Sequence, residues 1–142
     1  MKKIFGEENI VLGYAATDKW QAIETCGRLL VDLGYVQPEY IEAMKERERT
    51  VSVYVGNQLA IPHGVAGSEQ YIDESGLVFL QIPNGVDFDG ETCKIMIGIA
   101  GKNEAHIELL SKISIACLDM ENINALIAAE EKSVILDILS LN

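Results

Sequence analysis

Basic side chains are scarce in this chain. Eleven lysines and arginines face 22 aspartates and glutamates, a formal net charge of −11 over 142 residues. Nucleic acid binding needs a basic surface that displaces counterions from phosphates, so this balance argues against such a partner. It suits a basic protein partner, or solubility alone. Long apolar runs are missing too. None approaches the roughly 18 residues of a membrane-spanning helix, and direct membrane insertion is not expected. The start, Met1-Lys2-Lys3-Ile4-Phe5, is basic but runs into Glu7 and Glu8 instead of the apolar stretch of a secretory leader. Cysteine is limited to Cys26, Cys93 and Cys117, an odd number without C-x-x-C spacing, so neither a disulfide framework nor a zinc ribbon is expected. These absences predict a cytoplasmic protein. No G-x-S-x-G, P-loop or G-x-G-x-x-G occurs. No H-x-x-x-H spacing points to a catalytic metal. Histidine itself is rare, with only His63 and His106.

What is present is enough for a core. Hydrophobic residues make up 49% of the chain, and the length fits one domain over residues 1–142. Residues 8–14 predict a short opening strand around Ile10, Val11 and Leu12. Thr17 or Asp18 caps a helix whose apolar stripe is Ala22, Ile23, Cys26, Leu29, Leu30 and Leu33, and Gly34 stops it. Pro38 opens a second helix, with Tyr40, Ile41 and Met44 inward, that ends in the charged tract 45–49. Residues 51–55 are β-branched and broken by Gly56-Asn57; residues 58–61 form another short extended piece. Residues 76–82 and 94–100 read as buried strands, the first ended by the turn Pro83-Asn84-Gly85. The last third predicts three helices, starting near Asn103, at Asp119 and at Ser133. Strands mixed with helices in this way predict an α/β fold with a sheet covered on both faces.

Three residues invite a chemical reading. His63 follows Leu59-Ala60-Ile61-Pro62 and precedes Gly64. The proline fixes its own φ and pushes Ile61 toward extended backbone, while the glycine lets the chain turn and a bulky group approach the ring. A neutral imidazole is a nucleophile near pH 7; a loop histidine with no role fits the same pattern. His106 lies in the first turn of a helix, in line with its apolar stripe. It reads as a packed, half-buried histidine, or as part of an anion site, because a helix start carries free N–H groups and partial positive charge. Arg47 or Arg49 fits either a solvated helix end or a planar fork for phosphate. The three cysteines read as core thiols.

Together these segments resemble the A component (enzyme IIA, EIIA) of the bacterial phosphoenolpyruvate-dependent sugar phosphotransferase system, in its fructose–mannitol family. The resemblance spans essentially the whole chain. It is carried by Glu46-Arg47-Glu48, by Gly56-Asn57-Gln58-Leu59-Ala60-Ile61-Pro62-His63-Gly64, by Gln81-Ile82-Pro83-Asn84-Gly85-Val86, and by the stretch from Gly98 to His106. The Pro-x-Gly-Val turn and the Gly-Ile-Ala-x-Lys-Asn run look most like the mannitol branch. The resemblance implies a three-layer α/β/α sandwich around a mixed sheet. It implies a phosphocarrier in which His63 accepts a phosphoryl group from HPr and passes it to a cysteine of the B component (EIIB), which serves the membrane permease EIIC. His106 matches the second histidine, which hydrogen-bonds the phosphoryl group, and Arg47 matches the arginine that assists phosphate binding, with Arg49 as its near rival. No nucleotide, other cofactor or metal is implied. Ile61 and Val65 are expected to form an apolar rim that keeps water from the phosphohistidine. Ala105 departs from the pattern, since mannitol-type members usually carry glutamate directly before the second histidine.

Two other readings stand beside this one. A regulatory member of the nitrogen-related type would be phosphorylated on His63 to signal and not to drive transport. An acidic binding module would carry His63 incidentally.

Overall fold

A computed structural model describes residues 3–139. Met1 and Lys2, in the basic opening stretch, and residues 140–142, at the other end of the expected domain, lie outside the described residues. The chain forms a five-stranded mixed sheet between two helical layers. In chain order the elements are β1 (Ile10–Val11), α1 (Lys19–Asp32), α2 (Glu39–Thr50), β2 (Tyr54–Gly56), β3 (Leu59–Ala60), β4 (Gly76–Phe88), β5 (Glu91–Ala100), α3 (Glu104–Cys117), α4 (Met120–Ala128) and α5 (Lys132–Leu139). The strand order is β1-β4-β5-β3-β2. β1 runs parallel to β4 and β3 parallel to β5, while the β4/β5 and β2/β3 pairs are antiparallel.

Alternation along the central hairpin divides the core in two, because successive strand residues face opposite sides. Val78, Leu80, Ile82 and Met96 pack against Ala22, Ile23, Cys26 and Leu30 of α1 and Tyr40 and Met44 of α2. Leu77, Phe79, Ile95, Ile97 and Ile99 pack against Leu109 and Ile113 of α3, Ile123 and Leu126 of α4 and Ile135 of α5. The three cysteines are free and buried.

Capping follows the sequence closely at α1. The Asp18 carboxylate accepts from the Gln21 N–H at 2.8 Å. At the other end Gly34 adopts φ 86°, and the Gly34 and Tyr35 amides reach back to the Val31 and Leu30 carbonyls. This is the left-handed stop that glycine suits best. Gly27 lets α2 approach closely, since a Cβ there would lie 2.8 Å from Ile41.

Two expectations need correction. Pro83-Asn84-Gly85 does not end a strand. β4 continues through it to Phe88, and the register with β5 shifts between Gln81 and Val86. Proline cannot donate to a ladder, so it sits where the strand bulges, and Gly85 takes φ 78° there. The hairpin turns at Asp89-Gly90, both with positive φ. The strand predicted from residue 51 begins only at Tyr54, because Val51 caps α2 by donating to the Arg47 carbonyl. Glu48 then reaches forward to accept from the Val53 N–H at 2.7 Å while pairing with Lys19 at 2.9 Å.

Candidate active site

The loop after β3 is tied down along its backbone before it reaches His63. The Ile61 N–H donates to the Val53 carbonyl at 3.0 Å, and the Pro62 carbonyl accepts from the Ile99 N–H at 2.9 Å. The ring is then fixed by its own chain: His63 Nδ1 lies 2.8 Å from the Ile61 carbonyl. A carbonyl only accepts, so Nδ1 carries the proton and Nε2 keeps the lone pair. Burial holds His63 below the usual imidazole range, reinforced by the nearby His106 and Arg47. The imidazole is therefore neutral and nucleophilic at Nε2 near pH 7.

His63 opens onto a cavity of about 420 Å³ that Arg47, Glu69 and His106 also line. The two imidazole centroids are 5.1 Å apart, with their planes at 55°. His106 stands in the first turn of α3, which starts directly after Asn103. Gly101 allows this approach, because a Cβ there would lie 2.4 Å from the His106 Cα. Burial lowers the His106 pKa, and Glu69 opposes that effect. Arg47 comes from the last turn of α2, where its guanidinium also donates to the Val51 carbonyl. Arg49 does not line the cavity. It pairs with Glu42 and Glu46, at 2.8 and 2.7 Å, beside the Trp20 ring.

Tyr40 also lines the cavity, although sequence reasoning placed it only in the core. It is 2% exposed, yet its hydroxyl donates to the Ile99 carbonyl and accepts from the Gly64 N–H, both at 2.8 Å. It thus ties the histidine loop to α2 and β5 at once. A buried tyrosine needs partners for its hydroxyl, and that is the signal which could have drawn attention to it. Gly64 is glycine for a different reason than the one expected. Its φ is not left-handed, but a Cβ would lie 2.2 Å from the Ser68 Oγ and 2.6 Å from the Tyr40 ring.

The expected apolar rim is half right. Val65 lines the cavity, together with Ala66, Ile72 and Ile107, the last 70% exposed. Ile61 is instead buried against the opposite core and contributes its carbonyl, not its side chain. Ala105 borders a separate depression with Ile4, Glu108 and Lys112, so a side chain there faces away from His63. The acid that does enter the cavity, Glu69, escaped notice because it lies in a polar loop with no motif around it.

A mixed sheet between helical layers, with a tethered imidazole facing a second histidine and a guanidinium, defines a class of protein built to hold an anion against a neutral nucleophile. The comparisons with known proteins agree with that class. Residues 3–142 match the family described as phosphoenolpyruvate-dependent sugar phosphotransferase system, EIIA 2. The chain is 48% identical over 138 residues to a mannitol-specific phosphotransferase enzyme IIA component of Geobacillus stearothermophilus, covering 96% of this chain and 95% of that protein. Among solved structures it superposes with a TM-score of 0.91 on the complex of Escherichia coli enzyme IIAMTL with phosphorylated enzyme IIBMTL, at 34% identity, covering 97% of this chain and 98% of that one. The crystal structure of IIA mannitol from the same organism gives a TM-score of 0.88 at 36% identity, covering 95% and 98%. The chain belongs to the EIIA 2 family and is a phosphotransferase component of the sugar phosphotransferase system.

Proposed function

We propose that this chain acts as one domain, residues 1–142, that carries phosphoryl groups for mannitol uptake. His63 Nε2 attacks the phosphorus of phosphorylated HPr; the new N–P bond forms as the bond to the donor histidine breaks. A cysteine thiolate of EIIB then attacks the same phosphorus and His63 leaves. EIIC uses the phosphoryl group indirectly, when it moves the sugar across the membrane. Among the described residues no helix is long and apolar enough to cross a membrane, in keeping with a carrier that works at the cytoplasmic face.

One observation carries the reading above the others: a single tethered imidazole presents its free nitrogen to a cavity shared with His106 and Arg47. Phosphoryl transfer asks the protein mainly for in-line positioning and for compensation of charge on the phosphate oxygens. Arg47 and His106 are the donors placed to supply it. The rim from Val65 to Ile107 limits water at the N–P bond. The acidic surface favours a basic docking face on HPr.

Incubation with phosphoenolpyruvate, enzyme I and HPr tests this. An acid-labile, alkali-stable phosphoryl label should appear on the wild type and be absent from His63→Ala. Onward transfer to a mannitol EIIB domain should follow. An unlabelled wild type refutes carriage; a labelled protein that cannot pass its group to EIIB favours the regulatory alternative.

A further inference from the structure

The cavity holds one acid whose presence looks out of place at an anion site. Glu69 sits on the short 3₁₀ turn Ser68–Tyr71, and that turn is firmly held. Ser68 is buried, with both its amide and hydroxyl donating to the Val65 carbonyl, and the Ile72 N–H closes the turn onto the Glu69 carbonyl at 3.0 Å. Among the described residues Glu69 has no salt-bridge partner. Its side chain lines the same cavity as Arg47, His63 and His106.

Arg47 contributes one positive charge to that space and Glu69 one negative, and they cancel. Tyr40 is neutral, and burial pushes its hydroxyl up to about 12. His63 is neutral for the reasons given above. Only His106 is left to decide whether the cavity is electrically neutral or positive when a phosphoryl dianion enters.

We propose that Glu69 is a positioning residue of this site: it keeps a proton on His106 while the phosphoryl group rests on His63, so that charging the carrier takes up a proton. The inference rests on the phosphocarrier reading. The proton comes from solvent and adds to the free ring nitrogen of His106, which then donates to a phosphoryl oxygen. No bond of the transfer itself forms or breaks on Glu69 or His106. The electrostatics are consistent with this division of work. Glu69 favours the imidazolium of His106 against its burial, whereas Arg47 bears on His63 and disfavours its protonation. One charge thus adds to the burial that keeps the nucleophile neutral, and the other readies the donor.

The chain contains only two histidines, so both rings can be followed by proton–nitrogen NMR across a pH titration. Wild type, Glu69→Gln and Glu69→Asp are compared, unphosphorylated and after charging with phosphoenolpyruvate, enzyme I and HPr. The His106 midpoint should shift to lower pH in the Gln variant in both states and return in the Asp variant. The His63 midpoint should move less, with the amide spectrum otherwise unchanged. An identical His106 midpoint in wild type and Glu69→Gln overturns the proposal, as does an Asp variant that behaves like Gln. The unphosphorylated titration needs no partner protein. A wild type that resists phosphorylation therefore refutes the carrier function, while the Glu69 effect on His106 is read separately.

Discussion

Replacing Tyr40 with phenylalanine removes a single oxygen and leaves the ring that packs against Gly64 in place. Two hydrogen bonds disappear with it, to the Ile99 carbonyl and from the Gly64 N–H, each 2.8 Å long. A buried partner left unsatisfied costs about 1–3 kcal/mol. Ile99 is fully buried, whereas Gly64 borders the cavity where water can substitute, so the expected loss is about 2–4 kcal/mol in total. Urea unfolding measures it, and the slope of the transition should not change. The same residue predicts an alkaline signature. Burial raises the Tyr40 hydroxyl from 10.0 to about 12. A folded-state pKa above the unfolded one means that the unfolded chain loses its proton first. Stability is then fully present below pH 10 and falls as pH rises toward 12, by about 3 kcal/mol across that window. Tyr40→Phe removes this contribution, so its stability should decline less steeply between pH 10 and 12 than that of the wild type. The variant should also accept phosphoryl groups from HPr more slowly at pH 7, because the loop bearing His63 loses its tie to α2 and β5. A loss below about 0.5 kcal/mol, together with an unchanged alkaline slope, would refute the reasoning.

Two further substitutions probe the scaffold. Gln81→Leu should cost about 2–4 kcal/mol in urea unfolding, because the Gln81 amide is buried, donates to the Leu126 and Ala129 carbonyls and accepts from the Gly13 N–H; phosphoryl transfer should survive wherever the variant is folded. Gly101→Ala should do the reverse. Its Cβ would lie within 3 Å of the His106 backbone, which must shift, so transfer from HPr should fall by roughly tenfold, as about 1.4 kcal/mol of lost positioning implies, while most of the stability remains.

Much of this molecule was legible because local signals and tertiary packing agree. The Ala22-to-Leu30 stripe and the Gly34 stop required nothing beyond helical periodicity and backbone preference, which also narrowed the cap to Thr17 or Asp18; Asp18 forms it. The continuous apolar run from Leu77 to Leu80 likewise read as a strand buried on both faces, and the structure divides its residues between the two helical layers. Pro83 misled for a physical reason. A proline ends a strand or bulges it, and which one occurs depends on whether the partner strand continues, a non-local fact. At the site, the Pro-His-Gly frame singled out His63 as a candidate, and the structure turns it toward the cavity shared with His106 and Arg47. The charged tract by itself left Arg47 and Arg49 open and the resemblance favoured Arg47; the helical phase of α2, which residue types alone do not encode, brings Arg47 and not Arg49 to the cavity. Tyr40 and Glu69 were missed for opposite reasons. Tyr40 lies on an apolar stripe that accounts for it without its hydroxyl. Glu69 lies in a loop where an exposed acid is unremarkable until the fold turns it toward His106.

The cavity draws on all three layers of the sandwich. Arg47 and Tyr40 come from α2 on one side, His63 from the loop that leaves β3 of the sheet, and His106 from the start of α3 in the opposite helical layer. A phosphate seated there is a bolt through the stack. Loading it should weld the outer plates to the middle one, and any breathing that parts the plates would release the grip before the sheet itself gives way. Cargo and cohesion are in this way two readings of the same joint.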